Sequence, residues 1–383
     1  MSAQHIGIFG GGQLGRMLAQ AGLPLGLQCS FVENTPDCPA AVLGPVYPSG
    51  QLADFAAQAE VISLEFENTP LADVDRLPAD QPLYPPRLAL ATAQNRLLEK
   101  ALFAQLDIPV PGYRAVHQPA DLHAAVAALG LPLVVKTATG GYDGKGQAIL
   151  RDAAQTDIVW QQLGAGQVVL IAEAFVPFQR EVSIIAVRGQ DGEIRCWPLA
   201  ENHHHEGILS HSIVPAPDSD GLLADAQAYI SRLLEHLQYV GVLTLELFVT
   251  ASGLVANEMA PRVHNSGHWS IEGAVCSQFE NHMRAVAGLP LGSTALVQPC
   301  VMINIIGQHP RREAILAIEG AHLHLYGKAE RPGRKLGHIT LMAAEPDVLR
   351  ERQRIVAQCL PNPLALLKYA NVFSKKPGNC LTF

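Results

Sequence analysis

The segment from Leu243 to Met259 constrains this chain more than any other. LTLELFV (243–249) and LVANEM (254–259) read as two strands. Ala251-Ser252-Gly253 between them reads as a three-residue hairpin loop with glycine in the left-handed position. Counting back from Thr250 opposite Leu254 puts Glu246 opposite Glu258. Opposed residues on one sheet face bring their Cβ atoms to about 4.5–5.5 Å, and like charges there are destabilising. Leu245, Leu247, Phe248 and Met259 surround the pair with apolar side chains. A divalent cation removes the conflict. Mg²⁺ takes hard oxygen ligands and is held by one or two carboxylates together with substrate phosphates, and Asn257 offers an amide oxygen beside them. The competing arrangement is a one-residue slip, which sends the two acids to opposite faces.

The 383 residues allow two or three domains. With 48% hydrophobic and 16% charged residues, the chain is too apolar for disorder. A net charge of −8 argues against a nucleic acid as the main partner but leaves small anionic ligands open. The cysteines at 29, 38, 196, 276, 300, 359 and 380 form no CxxC pair, so reduced thiols in a cytoplasmic protein are expected. No basic n-region precedes an apolar run at the start, and no apolar stretch reaches the ~18 residues of a spanning helix.

The N-terminal third alternates strands and helices and predicts an α/β fold with a parallel sheet. HIGIF (5–9), LQCSFVE (27–33) and VISLEFE (61–67) are the strands, RMLAQAGL (16–23) is a helix, and Pro78 to Pro86 reads as a linker. One helix is expected over 88–106, ending before Ile108-Pro109-Val110-Pro111. Further strands are expected at 131–138, 146–150, 168–176 and 180–189, a helix at 222–237, and terminal strands at 301–307, 322–326 and 337–343.

Two glycine loops carry the ligand signal. Gly10-x-Gly12-x-x-Gly15 follows a strand and opens a helix, with Glu33 closing the next strand. This fits a dinucleotide fingerprint, a sugar-phosphate site at a helix N-terminus, or close helix–strand packing. The three readings carry equal weight on these residues. In the second loop, Gly140-Gly141-Tyr142-Asp143-Gly144-Lys145-Gly146, exposed amides and Lys145 can fold over phosphates. Lys136 ends the apolar strand LPLVVK, where its ammonium is costly unless it meets an anion. A plain hairpin turn explains Gly144 but not Lys136. Of the remaining candidates, His203-His204-His205 cannot all aim at one ion, because neighbours on a strand alternate faces. Glu65 and Glu67 lie at a strand end, either near a ligand or on a solvated edge.

Lys136, GGYDGKGQ (140–147), Glu173 to Val176, Glu181-Val182-Ser183, Glu246 and Asn257-Glu258 together resemble the ATP-grasp superfamily. GGGQLGRML (10–18), AENHHHEGIL (200–209), NEMAPRVHNSGHW (257–269) and RPGRKLGH (331–338) look like its 5-(carboxyamino)imidazole ribonucleotide synthase family, ATP-dependent carboxylases of purine synthesis. The likeness runs from about residue 5 to about residue 340.

It implies a Rossmann-like N-terminal domain (1–90), a two-lobed ATP-grasp centre (91–298, lid subdomain about 110–175) and a small β-rich C-terminal domain (299–383). Arg96 and Lys136 would meet ATP phosphates, and Gly141, Tyr142, Asp143, Gly144, Lys145, Gly146 and Gln147 would form the lid. Glu173, Ala174, Phe175 and Val176 would meet adenine, Glu181 the ribose, and His204, Asn257 and Glu258 would complete the ATP site. Glu246 and Glu258 would hold Mg²⁺. Arg262, His264, Asn265 and Ser266 would line the bicarbonate and aminoimidazole ribonucleotide pocket, with Gly12, Gln13, Leu14, Tyr142, Asp143, Lys328 and Arg334 completing the substrate side. Arg262, Lys136 and Asp143 would act directly in catalysis, and a homodimer is implied. The expected reaction turns bicarbonate into carboxyphosphate at the expense of ATP and carboxylates the substrate amine. Other acceptors, an NAD-dependent oxidoreductase and a nucleotide-binding regulator without turnover remain the competing classes.

Overall fold

The computed structural model describes residues 4–141, 146–164 and 167–361. Its strands form three sheets. The first is parallel, in the order Val46–Tyr47, Gln28–Val32, His5–Phe9, Val61–Leu64. The helices Gln13–Gly22 and Leu52–Gln58 follow the first and third strands in the chain, as the strand–helix alternation predicts. The strand expected over 61–67 stops at Leu64, so Glu65 and Glu67 leave the sheet at its carboxyl end.

A second, antiparallel sheet orders Tyr113–Val116, Leu170–Ala174, Leu133–Thr137 and Gln147–Leu150. Its core includes Val116, Leu122, Val135, Trp160 and Ala172.

The third sheet has nine strands. Gly253–Ala260, Gly241–Thr250, Arg180–Arg188, Ala200–His205 and Ile208–Val214 run on into Cys300–Ile306, Lys335–Met342 and Ala321–Leu325, while Ile194–Cys196 pairs with Arg180–Arg188. The terminal strands thus extend the central sheet and add their own core of Ile303, Ile315, Leu341 and Val356. Arg180–Arg188 is buried on both faces, which is why it reads as a nearly unbroken apolar run. Val182, Ile184 and Ala186 pack toward the helix Asp220–His236, and Ile185 and Val187 pack toward Phe279 and Met283 of the helix Gln278–Val286. Ser183 shares the second face and is directly opposed to Glu246.

The single helix expected over 88–106 is two. Arg87–Ala93 ends at Gln94, and Asn95 caps Arg96–Gln105 by accepting from the amides of Leu97 and Leu98 at 3.0 and 3.4 Å. The break turns the second helix so that Glu99, Lys100, Leu102 and Phe103 are buried. Among the described residues no helix is long and apolar enough to cross a membrane.

Loss of a helix N-cap costs about 1 kcal/mol. Asn95→Ala is expected to lower the thermal unfolding midpoint, Asn95→Ser to retain it, and exposed Leu98→Ala to have a small effect, as read by calorimetry.

Candidate active site

The hairpin brings its two acids together, by a different route from the one expected. Thr250 pairs with Gly253, not Leu254, so the turn holds only Ala251 and Ser252. The register breaks between Glu246 and Leu247, leaving Asn257 as an extra residue on the returning strand. That bulge restores Glu246 opposite Glu258. Burial, then the neighbouring Glu258, pushes the Glu246 carboxyl up to about 7. Among the described residues no group of three or more His, Cys, Asp or Glu side chains is arranged to hold a metal. Two facing carboxylates suit a hard cation that takes its remaining ligands from phosphates and water.

The bulge has its own support. The Lys100 ammonium is buried and donates to the carbonyl of Asn257, with the Ala256 carbonyl at 3.4 Å. The same ammonium lies 3.4 Å from Glu173, whose other oxygen is 2.7 Å from Lys136. Glu173 is 3% exposed, and burial alone would raise its carboxyl, but the two lysines outweigh burial and hold it below its usual range. The Glu173 side chain is therefore engaged by cations. Glu99 accepts from the Met259 amide at 2.7 Å, and burial pushes it up to about 8 against the pull of Lys100. Sequence reasoning missed Glu99 and Lys100. Their signal was a Glu-Lys pair inside the apolar run LLEKALF.

Arg96 lies beside these groups, with its guanidinium 3.9 Å from Glu258 and donating to the carbonyls of Thr137 and Gly141. Glu181 meets His204 at 3.1 Å; burial lowers the imidazole, but Glu181 outweighs it and leaves His204 raised. The histidine run is no metal cluster. His203 contacts Glu201 at 3.0 Å, His204 contacts Glu181, and a register shift separates them.

The loop after the hairpin crosses the same face. Arg262 forms a two-pronged pair with Glu67, with Nη2 donating to Oε1 at 2.9 Å and Nε donating to the other oxygen. Burial would raise Glu67, but Arg262 leaves it lowered. Glu67 is thus no solvated edge. His264 Nε2 is 3.3 Å from Glu246 Oε1. Burial, then Arg262, holds His264 well below its usual range. The lowered His264 ring is neutral beside Glu246, so the contact is not an ion pair. The Asn265 Nδ2 atom is buried without a partner among the described residues. Ser266 is fully buried behind it.

The first glycine loop is already filled from within. Glu65 accepts from the Gly12 amide at 2.6 Å and from the Gly15 amide. A Cβ on Gly10, which sits at φ 101°, would come within 2.3 Å of Glu65 Cγ, and one on Gly12 within 2.6 Å of Oε1. These glycines make room for a carboxylate at the place where a dinucleotide pyrophosphate would sit, which removes the oxidoreductase reading. Lys328 donates to Gln13, and burial, then Arg334, lowers it to about 8. Arg334 donates to the Ala329 carbonyl at 3.2 Å. Gly12, Gln13, Leu14, Lys328 and Arg334 therefore stand along one edge. Tyr142, Asp143, Gly144 and Lys145 lie outside the described residues, while Gly141, Gly146 and Gln147 flank them.

A small antiparallel sheet beside a larger one, with facing carboxylates and paired lysines between them, defines an ATP-grasp domain. The chain matches family models described as a ribonucleotide synthetase preATP-grasp domain over residues 3–94, an ATP-grasp domain over 101–279 and a phosphoribosylaminoimidazole carboxylase C-terminal domain over 300–352. N5-carboxyaminoimidazole ribonucleotide synthase of Pseudomonas aeruginosa is 49% identical over 352 residues, 91% of this chain and 97% of that protein. N5-carboxyaminoimidazole ribonucleotide synthetase from Thermus thermophilus superposes with a TM-score of 0.89 at 48% identity, over 93% of this chain and 99% of that one. The synthase from Aspergillus clavatus, solved with ADP and 5-aminoimidazole ribonucleotide, gives 0.87 at 28% identity, over 96% and 99% of the two chains. The chain belongs to the N5-carboxyaminoimidazole ribonucleotide synthase family.

The raised Glu246 gives a signed prediction. A carboxyl at about 7 in the folded chain and 4.5 ordinarily binds more protons folded than unfolded between those values. Its contribution to stability therefore falls as pH rises through that window. Glu246→Gln removes this loss, so the variant's melting temperature minus that of the native chain, both without metal, is expected to grow from pH 4.5 to about 7. A difference that stays flat would contradict the assignment.

Proposed function

We propose that this chain carboxylates the exocyclic amine of 5-aminoimidazole ribonucleotide with ATP and bicarbonate, giving ADP, phosphate and N5-carboxyaminoimidazole ribonucleotide in purine biosynthesis. Family membership supports this reaction. The structural observation that carries it is Glu246 facing Glu258 across a bulged hairpin, beside the Lys100–Glu173–Lys136 chain.

Glu246 and Glu258 would hold Mg²⁺, which would offset triphosphate charge. Lys136, now held by Glu173, and Arg96 would approach the phosphates. Ala174, Phe175 and Val176 would meet adenine, and Glu181 and His204 the ribose side. Arg262 would take bicarbonate, whose planar oxygens match the fork that Glu67 fills here. Glu67 then keeps a buried guanidinium paired and aimed until the anion arrives. The unpartnered amide of Asn265 supplies a second donor. Gln13, Lys328 and Arg334 would hold the anionic end of the ribonucleotide, a task we also assign to Tyr142 and Asp143, which lie outside the described residues. Bicarbonate attacks the γ-phosphate to give carboxyphosphate, and the site must then exclude water until the amine is carboxylated. Residues 1–90, 91–298 and 299–383 would divide these tasks as substrate, nucleotide and supporting domains, in a cytoplasmic homodimer.

The test is ADP release with bicarbonate, with and without 5-aminoimidazole ribonucleotide. Release that the ribonucleotide stimulates, with equal formation of carboxylated product, is expected; indifference to it would overturn the reading. Arg262→Lys keeps the charge but loses the two-pronged hydrogen bond. Losing one charge-assisted bond costs about 1.5–3 kcal/mol, so kcat/KM for bicarbonate is expected to fall at least about tenfold.

A further inference from the structure

Beneath the Arg262–Ser266 loop, a row of buried polar side chains crosses the central sheet. Ser212 Oγ is 2.8 Å from Asn202 Oδ1, Asn202 Nδ2 is 2.9 Å from Ser183 Oγ, and Ser183 Oγ is 2.8 Å from Ser266 Oγ. Ser266 Oγ is 2.8 Å from His264 Nδ1, and His264 Nε2 lies 3.3 Å from Glu246 Oε1. Strand register puts most of the row on one face, since Ser212 opposes Asn202 and Ser183 opposes Glu246. Ser183, Ser212 and Ser266 are wholly buried and Asn202 nearly so. Hydroxyls sealed from water must satisfy one another, so the direction of each bond is constrained by its neighbours.

One backbone group sets that direction. The Ser266 amide approaches His264 Nδ1 at 3.3 Å, and an N–H can only donate. Nδ1 is therefore an acceptor. The Ser266 hydroxyl must donate to it as well, Ser183 must donate to Ser266, and the Asn202 amide must donate to Ser183. The proton of the neutral ring is then left on Nε2, aimed at Glu246.

We propose that Asn202, Ser183 and Ser266 form a one-way hydrogen-bond relay that fixes His264 as a donor to Glu246, making His264 a positioning residue and not the general base of the reaction. An Nε2–H pins one oxygen of Glu246 and leaves the other for the cation, as outer-shell partners do for ligating groups. It also offers no lone pair on that side to take a proton from bicarbonate or from the substrate amine. The inference rests on the reading of Glu246 as a cation ligand, but the ring tautomer does not depend on that reading.

The direct measurement is the nitrogen-15 spectrum of uniformly labelled protein without nucleotide or metal, with the His264 ring assigned by its loss in His264→Gln. A protonated Nε2 and an unprotonated Nδ1 are expected; a proton on Nδ1 overturns the relay while leaving the cation site intact. Kinetics supply a second arm. His264→Gln keeps a neutral donor and is expected to retain more kcat than His264→Ala or His264→Glu; retention by His264→Glu above His264→Gln would mark a base and overturn the proposal. Asn202→Asp removes the donor that starts the relay. It is expected to move the His264 Nδ1 resonance and lower kcat about 10- to 100-fold, with a smaller change in KM for ATP. An unmoved resonance in a folded Asn202→Asp protein would contradict the relay. If Glu246→Gln instead left the Mg²⁺ dependence of turnover unchanged, the cation-site reading would fail, whatever the tautomer.

Discussion

Two carboxylates that repel one another organise this molecule. Glu246 and Glu258 are opposed on neighbouring strands inside an apolar hairpin, and burial with mutual repulsion lifts Glu246 to about 7. Without a cation, the least costly response is a proton. With one, the pair becomes a ligand set open toward solvent-borne phosphates. The surrounding structure makes sense as support for that choice. The bulge at Asn257 aligns the acids, Lys100 satisfies the carbonyls it releases, and Glu173 ties Lys100 to Lys136 on the smaller sheet. Electrostatics thus couples the two sheets.

Several other buried charges among the described residues are paired. Glu65 fills the first helix N-terminus, Glu67 fills the Arg262 fork, and Glu173 bridges two lysines. Each carboxylate occupies the kind of site that an anionic substrate group prefers. An unpaired buried charge would cost several kcal/mol, so these internal anions keep the cations and amides in position. The substrate anions named above would displace or join them at little cost in reorganisation, the condition for effective electrostatic catalysis.

Much of the site was legible before the fold was known, and the failures have physical causes. The Glu246–Glu258 pair followed from counting residues in a hairpin, but the count assumed a three-residue loop and an unbroken ladder. The true turn is one residue shorter, and the bulge compensates. Lys136 was legible because an ammonium at the end of an apolar strand needs an anion. Its partner Glu173 was not, because ion pairs between distant strands leave no local pattern. Glu65 was likewise hidden. Its carboxylate reaches the glycine loop across 50 residues, so the loop alone read equally well as a dinucleotide site. The break at Asn95 had a local signal, a good capping residue inside a long apolar helix, overridden by the unbroken periodicity around it.

The most direct test of the account is a crystal of the full chain grown with ADP and Mn²⁺, a hard cation visible by anomalous scattering. The account predicts one strong anomalous peak bound by oxygens of both Glu246 and Glu258 and by the nucleotide phosphates. A nucleotide seated between the sheets with its cation bound elsewhere, and the two acids still facing one another unoccupied, would contradict it.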